Sequence, residues 1–212
     1  AALAKIRERM ELREQLDRLA KGADDRGNLD ASDQFEKLAW NMLASPAARR
    51  AFDLSQESAE TRDRYGRNTW GQQCLLARRL VESGVELVTT TLAGPICGRV
   101  QNWDDHAVNH HVFDAMKSRA PFFDQAVATL ISEIFERGLD QKVMVIVTGE
   151  FGRTPKISYA ADSNSGIMQP GRDHWPRATS LLFAGGGIRG GEVIGATDRR
   201  GEDVTERRVG VH

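Results

Sequence analysis

Apolar side chains in the first 83 residues recur at the spacing of amphipathic helices. From Leu3 to Leu19 they stand mostly three or four positions apart with charged residues between them, as a single buried helical face requires. A similar pattern runs from Phe35 to Leu43 and again through WGQQCLLARRLVE. We therefore predict that residues 1–83 form a helical segment that packs on the remainder of the protein.

Residues with strong capping preferences mark the ends of these helices. Asp30 or Ser32 can cap the second helix, and Ser45 followed by Pro46 has the N-cap and first-position pairing of a third, short helix. Gly84 follows the last of them, where glycine is favoured because it adopts the left-handed conformation without a Cβ clash. The sequence thus predicts that the helical segment ends at about residue 83.

After residue 84 the pattern changes to continuous apolar runs. Three runs have the length and composition of strands buried on both faces: VELVTTTL at 85–92, KVMVIVT at 142–148 and ATSLLFAG at 178–185. A long helix from Pro121 to Gly138 is predicted between the first two runs, and strands joined by so long a crossover are expected to pair in parallel. The fold class predicted for residues 84–212 is therefore α/β, with a mostly parallel sheet flanked by helices.

Four of the five histidines fall in two loops next to this sheet. Ligands of open parallel sheets bind beyond the carboxyl ends of the strands. Carboxylates and imidazoles together suit Zn²⁺, Mn²⁺ or Fe²⁺, since both ligand types are available at neutral pH. The sequence therefore predicts a metal site at WDDHAVNHH and GRDHWP, with Asp105 and His111 beside it. The candidate ligands are Asp104, His106, His110, Asp173 and His174, together with Glu150 of a third loop.

A simpler interpretation of the first loop stays open. Asp104 or Asp105 can cap a helix that begins near residue 107, with His110 and His111 as solvated surface residues.

The segment GEFGRTP, residues 149–155, follows the second predicted strand directly. Glu150 is placed where a carboxylate can reach into a site at the strand end, and Gly149 and Gly152 permit close backbone approach. Arg153 can bind an anionic oxygen through two parallel hydrogen bonds, and Arg172 of GRDHWP offers the same option. The alternative is a turn with a local ion pair between Glu150 and Arg153, which contributes little if it is exposed.

The charge composition argues against nucleic acid and anionic lipid as partners. The chain of 212 residues carries 29 basic and 30 acidic side chains and a net charge of −1, so it offers no general attraction for nucleic acid or anionic lipid. Its apolar runs are too short to span a bilayer. A small anionic molecule is the partner that the loop residues favour.

Several segments together resemble a large, poorly characterised bacterial family, often labelled sulfatase-like, within the alkaline-phosphatase-like superfamily. The resemblance covers nearly the whole chain and is carried by LARRLVESGVELV, WDDH with Asn109 downstream, VIVTGEFGRTPKI, GRDHWP and GGGIRGGEVIGATD. It implies hydrolysis of phosphate or sulfate monoesters over one or two metals, commonly through a Ser, Thr or modified Cys nucleophile.

The resemblance also implies which residues hold the metal. Asp104 with His106 occupies the place of the superfamily's Asp–His pair, with His110 as the competing imidazole, and His174 matches its final metal-binding histidine. Asp173 can ligate the metal or orient a neighbouring ligand.

One position departs from the superfamily's pattern. Glu150, Phe151 and Gly152 stand where the superfamily has Asp-His-Gly. Phe151 removes one imidazole of the second metal site, which puts a two-metal site in doubt.

The activity that the resemblance implies is metal-dependent hydrolysis of a small-molecule anionic ester or of a sulfated or phosphorylated glycan. The cofactor is expected to be a divalent ion: Zn²⁺, Mn²⁺, Fe²⁺ or Ca²⁺. Arg153 and Arg172 would offset the charge that builds on the anion. The alternative is a non-catalytic descendant that binds an anionic glycan in the same pocket, and Phe151 in place of histidine favours it.

The resemblance further implies a longer parent protein. The superfamily takes its first metal-binding Asp and its nucleophile from a strand near the N-terminus, and no such strand is predicted before residue 84. The chain is therefore expected to be the C-terminal part of a longer protein, a kind often exported, and to lack turnover on its own. Its nucleophile would lie outside these 212 residues or be metal-bound water.

Overall fold

The computed structural model describes residues 50–96 and 99–209. The chain divides into two compact units, Ala1–Asp53 and Leu54–His212, and the architecture below is that of the second. The helices predicted before residue 45 lie outside the described residues, and of the short helix that Ser45 would cap only residues 50–52 are described, as helix.

Three α-helices supply most of the regular structure. They are α1 (Ala59–Tyr65), α2 (Thr69–Glu82) and α3 (Val112–Glu136), and a 3-10 turn at Leu54–Gln56 precedes them. The side chains of Ser58 and Asn68 accept hydrogen bonds from backbone N–H groups in the first turns of α1 and α2, which satisfies donors that a helix start otherwise leaves unpaired. Gly84 follows α2 with a φ of 97°, which confirms the predicted end of this helix.

The strands are short and pair in twos. They are β1 (Gly94–Ile96), β2 (Arg99–Gln101), β3 (Met144–Val147), β4 (Gly152–Arg153), β5 (Ser158–Ala161), β6 (Met168–Gly171), β7 (His174–Trp175), β8 (Leu182–Gly185), β9 (Ala196–Thr197) and β10 (Val204–Glu206). The pairs are β1 with β2, β3 with β8, β4 with β7, β5 with β6, and β9 with β10. All five pairs are antiparallel.

The predicted mixture of helices and strands is therefore present, but the parallel sheet is wrong for the described residues. The second and third predicted strands form as β3 and β8, yet they run antiparallel, with Ile146 opposite Phe183. Residues 85–92 form no strand. The strands that do precede the long helix, β1 and β2, pair with each other and not with β3. The described residues therefore contain no crossover between neighbouring strands of one sheet, which was the premise for parallel pairing.

The start of the long helix is also corrected. It begins at Val112, where His111 is the N-cap, and Pro121 lies inside it. Proline lacks the N–H that a helix interior uses, so the sequence favoured Pro121 as a first-turn residue. Buried side chains on both sides of the proline, Arg119 and Ala126 among them, hold the helix continuous through it.

The core lies between α2 and α3. Tyr65, Cys74, Leu75 and Ala126 form a fully buried cluster, and Leu54, Leu92 and Leu130 pack against it. Each large apolar side chain buried in this way contributes about 1.5–3 kcal/mol. The two helices thus provide the packed surface that Leu92 and, further along the chain, Trp103 contact.

A buried ionic network crosses the same helices. The Arg78 side chain on α2 is 1% exposed and lies 3.0 Å from carboxylate oxygens of Glu57 and Glu133 and 2.6 Å from one of Glu82. Tyr65 donates a hydrogen bond of 3.1 Å to Glu133. Removal of one partner from such a network would leave uncompensated buried charge, which costs about 3–5 kcal/mol.

Candidate metal centre

Two of the four side chains of WDDH, those of Trp103 and Asp105, pack against the helices. Trp103 stacks on Trp70 of α2 with ring centroids 5.7 Å apart, meets the edge of Phe123 of α3 at 5.3 Å, and donates a 2.6 Å hydrogen bond to the Leu92 carbonyl. Asp105 is buried against Arg119 of α3. Asp104 and His106 instead contact His174 of the GRDHWP loop, Asp104 through a 3.1 Å contact between its Oδ1 and Nε2 of His174 and His106 through its ring.

The two arginine-containing loops are joined by a short strand pair. β4 and β7 place Gly152 opposite Trp175 and Arg153 opposite His174. A Cβ on Gly152 would lie 1.9 Å from the Ala178 carbonyl oxygen, so only glycine allows this approach. The pairing therefore brings GEFGRTP and GRDHWP together, as expected from the prediction that both contribute to one site.

The WDDHAVNHH loop packs against the GRDHWP loop through another glycine, Gly171. A Cβ on Gly171 would lie 1.9 Å from the backbone nitrogen of Ala107. Arg172 N–H donates to the Asp105 carbonyl at 2.9 Å, and the Gln169 amide donates to the Ala107 carbonyl at 2.8 Å. These contacts set His174 beside His106, with ring centroids 4.6 Å apart.

Asp104, His106 and His174 form one group of ligand-type side chains. Their ligand atoms all lie within 4.8 Å of one another. Oδ1 of Asp104 is 2.9 Å from Nδ1 of His106 and 3.1 Å from Nε2 of His174. Three of the residues expected to bind metal are thus adjacent in space although 70 positions separate the first from the last.

The guanidinium of Arg153 lies next to the Asp104 carboxylate. Arg153 donates from Nη2 to Oδ1 of Asp104 at 3.0 Å and to the Trp103 carbonyl at 2.7 Å. Partial burial raises the pKa of Asp104, but the hydrogen bonds from His174 and Arg153 and the charge of His106 outweigh it and lower the pKa to about 2. Asp104 is therefore an anion at neutral pH, as a metal ligand must be.

The backbone and side chain of Asp104 are held from other directions as well. Its N–H donates to Oδ1 of Asn102 at 2.9 Å, and Asn109 donates to its Oδ2 at 3.4 Å. Nδ1 of His110 lies 3.3 Å from its carbonyl oxygen. His110 thus contacts the backbone of Asp104 and is not part of the ligand-type group that the described residues form.

The remaining predicted site residues lie around this group. Glu150 is exposed between β3 and β4, and within the described ranges it is not a member of the group. Asp173, also outside the group, accepts from Ser158 Oγ at 3.3 Å and donates its N–H to Thr154 Oγ1 at 3.0 Å. The Arg172 side chain donates to the carbonyls of Thr154 at 2.5 Å and Arg153 at 3.2 Å, so its guanidinium braces the loop.

Two simpler interpretations of the loops are corrected. Residues 107–109 form a turn and not a helix, so neither Asp104 nor Asp105 is a helix cap, and His111 caps α3 instead. Arg153 pairs with Asp104 and makes no local ion pair with Glu150 among the contacts of the described residues. WDDHAVNHH and GEFGRTP are therefore joined to each other through the contact of Asp104 with Arg153, and neither is an isolated turn.

Phe151 covers one side of the ligand-type group. Its ring centroid is 4.2 Å from that of His174, and the Arg153 guanidinium lies 5.7 Å from the same ring. An apolar ring here limits solvent on one side of the imidazole, while the His174 side chain as a whole is still 50% exposed.

The donor set fits a single divalent ion. Ligand atoms about 2.0–2.2 Å from one ion stand at most about 4.4 Å apart, close to the spread of 4.8 Å or less seen here. One carboxylate and two imidazoles are a combination that Zn²⁺ and Fe²⁺ sites use with positions left open for water or substrate. The exposed half of His174 provides such an opening.

Residues that sequence reasoning missed also shape the site. Arg119, Asn102 and the ring of Trp103 hold the loop that carries two of the three ligand-type side chains. A signal for Arg119 does exist, because Val112, Arg119, Ala126 and Glu133 are all buried on α3 at intervals of seven residues. A charged residue in phase with an apolar stripe indicates a buried polar contact, but the signal appears only when the helix starts at residue 112.

Comparison with known proteins gives a family match. A family model described as "Protein of unknown function (DUF1501)" matches residues 2–212. No curated protein and no solved structure gives a match.

Proposed function

The chain belongs to the DUF1501 family, and we propose that it holds a divalent metal ion on Asp104, His106 and His174 as part of a hydrolase of phosphate or sulfate esters. The observation that carries the proposal is the convergence of these side chains within 4.8 Å. The resemblance of GEFGRTP and GRDHWP to sulfatase-like proteins supplies the reaction class.

The chemistry of the proposed centre follows from its charges. When bound, the metal would supply Lewis-acid polarisation of the ester oxygens. Arg153 is 23% exposed and keeps Asp104 ionised and oriented, and its positive charge lies beside any anion bound at the exposed edge of His174. Arg172 acts on the same anion only through the loop that it braces. Zn²⁺, Mn²⁺ and Fe²⁺ suit the two imidazoles better than Ca²⁺, which prefers oxygen ligands throughout.

A second candidate function is non-catalytic binding of an anionic ester or glycan. The contact of Phe151 with His174 favours it, because an apolar ring occupies the place where the sulfatase-like proteins have a metal-binding imidazole. The same metal and anion can then be bound without turnover.

Metal analysis tests the proposal. We expect the protein, incubated separately with Zn²⁺, Mn²⁺ and Fe²⁺ and then desalted, to retain about one ion per chain of at least one of these metals. His174→Ala should lose that ion, because two ligands bind a divalent metal far more weakly than three. His111→Ala is the matched control, since this imidazole caps α3 and should leave the metal content unchanged.

Two results would count against the metal centre: wild type that retains none of these metals, and His174→Ala that retains as much as wild type. Hydrolysis of nitrophenyl phosphate and nitrophenyl sulfate by the complete natural protein then separates the two functions. Metal-loaded protein that binds phosphate or sulfate without cleaving either ester would favour the non-catalytic one.

A further inference from the structure

A buried ion pair lies directly behind the candidate metal centre. Arg119 donates from Nη1 to Oδ1 of Asp105 at 3.0 Å, and its Nη2 pairs with Oδ2 of the same carboxylate. The Arg119 and Asp105 side chains are only 1% and 6% exposed. Two parallel hydrogen bonds fix the direction of a carboxylate as well as its distance, so Asp105 has little freedom to rotate.

An aromatic stack holds the guanidinium in place. The Arg119 guanidinium lies 4.5 Å from the ring centroid of Trp103, and Trp103 is itself stacked on Trp70 of α2. A guanidinium can lie over an aromatic ring and bind a carboxylate through two N–H groups at once, which the ammonium group of lysine cannot do. The pair is therefore tied to both core helices.

Asp105 lies between two of the proposed ligands and contacts the loop of the third. Asp104 and His106 are its immediate neighbours in the chain, and its carbonyl accepts the Arg172 N–H at 2.9 Å. Arg172 is two residues before His174. One residue thus connects both ligand-bearing loops to α3.

We propose that Arg119 is a positioning residue for the metal centre, which it serves by clamping Asp105 so that Asp104, His106 and His174 converge. The inference rests on the proposed function for the identity of the ligand group, and it adds the device that assembles the group. Arg119 touches none of the three ligand-type side chains among the contacts of the described residues, so its effect is transmitted through Asp105.

The purely structural explanation is that Arg119 and Asp105 only stabilise the fold. Arg78 provides the comparison, because it is equally buried at 1% exposure and pairs with Glu57, Glu82 and Glu133. None of its partners is in either ligand-bearing loop. Loss of general stability would therefore affect both arginine variants alike, whereas loss of positioning is expected for Arg119 alone.

The test measures Zn²⁺ affinity and backbone amide exchange in Arg119→Lys, with Arg78→Lys as the matched control. We expect Arg119→Lys to weaken Zn²⁺ binding about 10- to 100-fold, the usual effect of losing a group that orients metal ligands. Metal-free Arg119→Lys should also exchange the Arg172 N–H at least about tenfold faster than wild type, since its acceptor on Asp105 is no longer held. Arg78→Lys should change neither quantity.

Asp105→Asn provides a second route if Arg119→Lys does not fold, as judged by near-ultraviolet circular dichroism. It keeps the shape of the side chain and one acceptor oxygen, and the same two changes are expected. Unchanged Zn²⁺ affinity and exchange in the folded variants would overturn the positioning role. Equal losses in Arg78→Lys would also overturn it and assign the effect to stability.

The outcomes also separate this inference from the proposed function. Wild type that binds none of the three metals contradicts the metal centre, yet exchange at Arg172 in the metal-free protein still decides whether Arg119 positions the loops. Wild type that binds Zn²⁺ together with an unaffected Arg119→Lys contradicts the positioning role alone.

Discussion

Oδ1 of Asp104 is the point at which three side chains from three different loops meet. His106, His174 and Arg153 each place a nitrogen within 2.9–3.1 Å of this one oxygen. Such crowding of donors around a single acceptor favours the ionised carboxylate strongly. It also makes the three loops interdependent, because each supplies part of the compensation for the same charge.

This arrangement predicts how stability depends on pH. The folded protein lowers the pKa of Asp104 from the ordinary aspartate value of 3.8 to about 2. The folded state therefore holds this proton more weakly than the unfolded chain does. The stabilisation is fully present above about pH 4 and is lost as the pH falls towards about 2. Urea unfolding at several pH values should therefore show wild type losing stability over this range more steeply than Asp104→Asn.

Asp124→Asn is the control for the pH series, because Asp124 is an exposed residue of α3. It should keep the pH dependence of wild type. Parallel curves for wild type and Asp104→Asn would contradict the assignment of this charge to the folded-state contacts.

Residue types located the loops of the candidate group but gave a wider set of residues. The resemblance to the sulfatase-like family selected Asp104, His106 and His174 from that set, and these three do converge. Residue type alone could not rank them above Glu150, His110 and Asp173, since all six are carboxylates or imidazoles in neighbouring loops and differ in the direction that the backbone gives their side chains. Packing of Trp103 and Asp105 on the helices leaves Asp104 and His106 in contact with His174. Tertiary packing of this kind is not visible in a local sequence pattern.

At the scale of elements, helix ends set by local chemistry were predicted better than those set by packing. Gly84 follows the C-terminal end of α2 in the left-handed conformation, which glycine adopts readily and which its position predicted. Pro121 gave the wrong start for α3 because tertiary contacts outweigh its local penalty. His111 as N-cap has no strong sequence signal, since histidine ranks below Ser, Thr, Asp and Asn at this position.

Strand location and strand direction are different problems. The apolar runs at β3 and β8 were located correctly, because continuous apolar segments of this length are typical of strands. Their antiparallel pairing depends on the path of the 34 residues between Val147 and Leu182, which form short hairpin-like pairs in place of a crossover helix. Hydrophobic pattern does not encode that path.

The close approach of strands and loops predicts the effect of two glycine substitutions. Gly152→Ala and Gly171→Ala would each place a Cβ 1.9 Å from a backbone atom, so the β4–β7 pair or the contact with Ala107 must shift. Overpacking of this kind costs about 1–3 kcal/mol. Urea denaturation should show both variants destabilised by amounts in this range, with reduced metal retention.

Gly190→Ala is the matched control, because a Cβ there meets nothing within 4 Å. It should be neutral or slightly stabilising, since alanine restricts the unfolded chain. Equal stability of all three variants would show that the loops are looser than the contacts at Gly152 and Gly171 indicate.

At the scale of the whole molecule, Cys74 reports on opening of the core. Its side chain is 2% exposed, and burial raises the pKa of its thiol to about 11. The thiolate is the reactive form, so both access and ionisation oppose its modification in the folded state. In a Cys97→Ser background, where Cys74 is the remaining cysteine, we expect Ellman's reagent to react about 1,000-fold more slowly than with the urea-unfolded chain.

The rate should rise with urea in parallel with loss of helical circular dichroism. Cys74→Ala in the same background gives the zero-reaction baseline. Rapid reaction in native buffer would show that α2 separates from α3 without unfolding of the rest.

Among the described residues, none of the helices combines the length and apolar character needed to cross a bilayer. This agrees with the expectation from the apolar runs of the sequence.

Arg153 has a practical consequence for anyone who purifies this protein. Its guanidinium neutralises the Asp104 carboxylate whether or not anything else occupies the space beside it, so the two loops keep their internal counter-charge in chelator-treated samples. Such samples should melt cooperatively and look intact by every bulk measure of folding. Elemental content therefore has to be assayed before affinity tags and EDTA-containing buffers are chosen, because an unperturbed melting curve says nothing about whether an ion was stripped away.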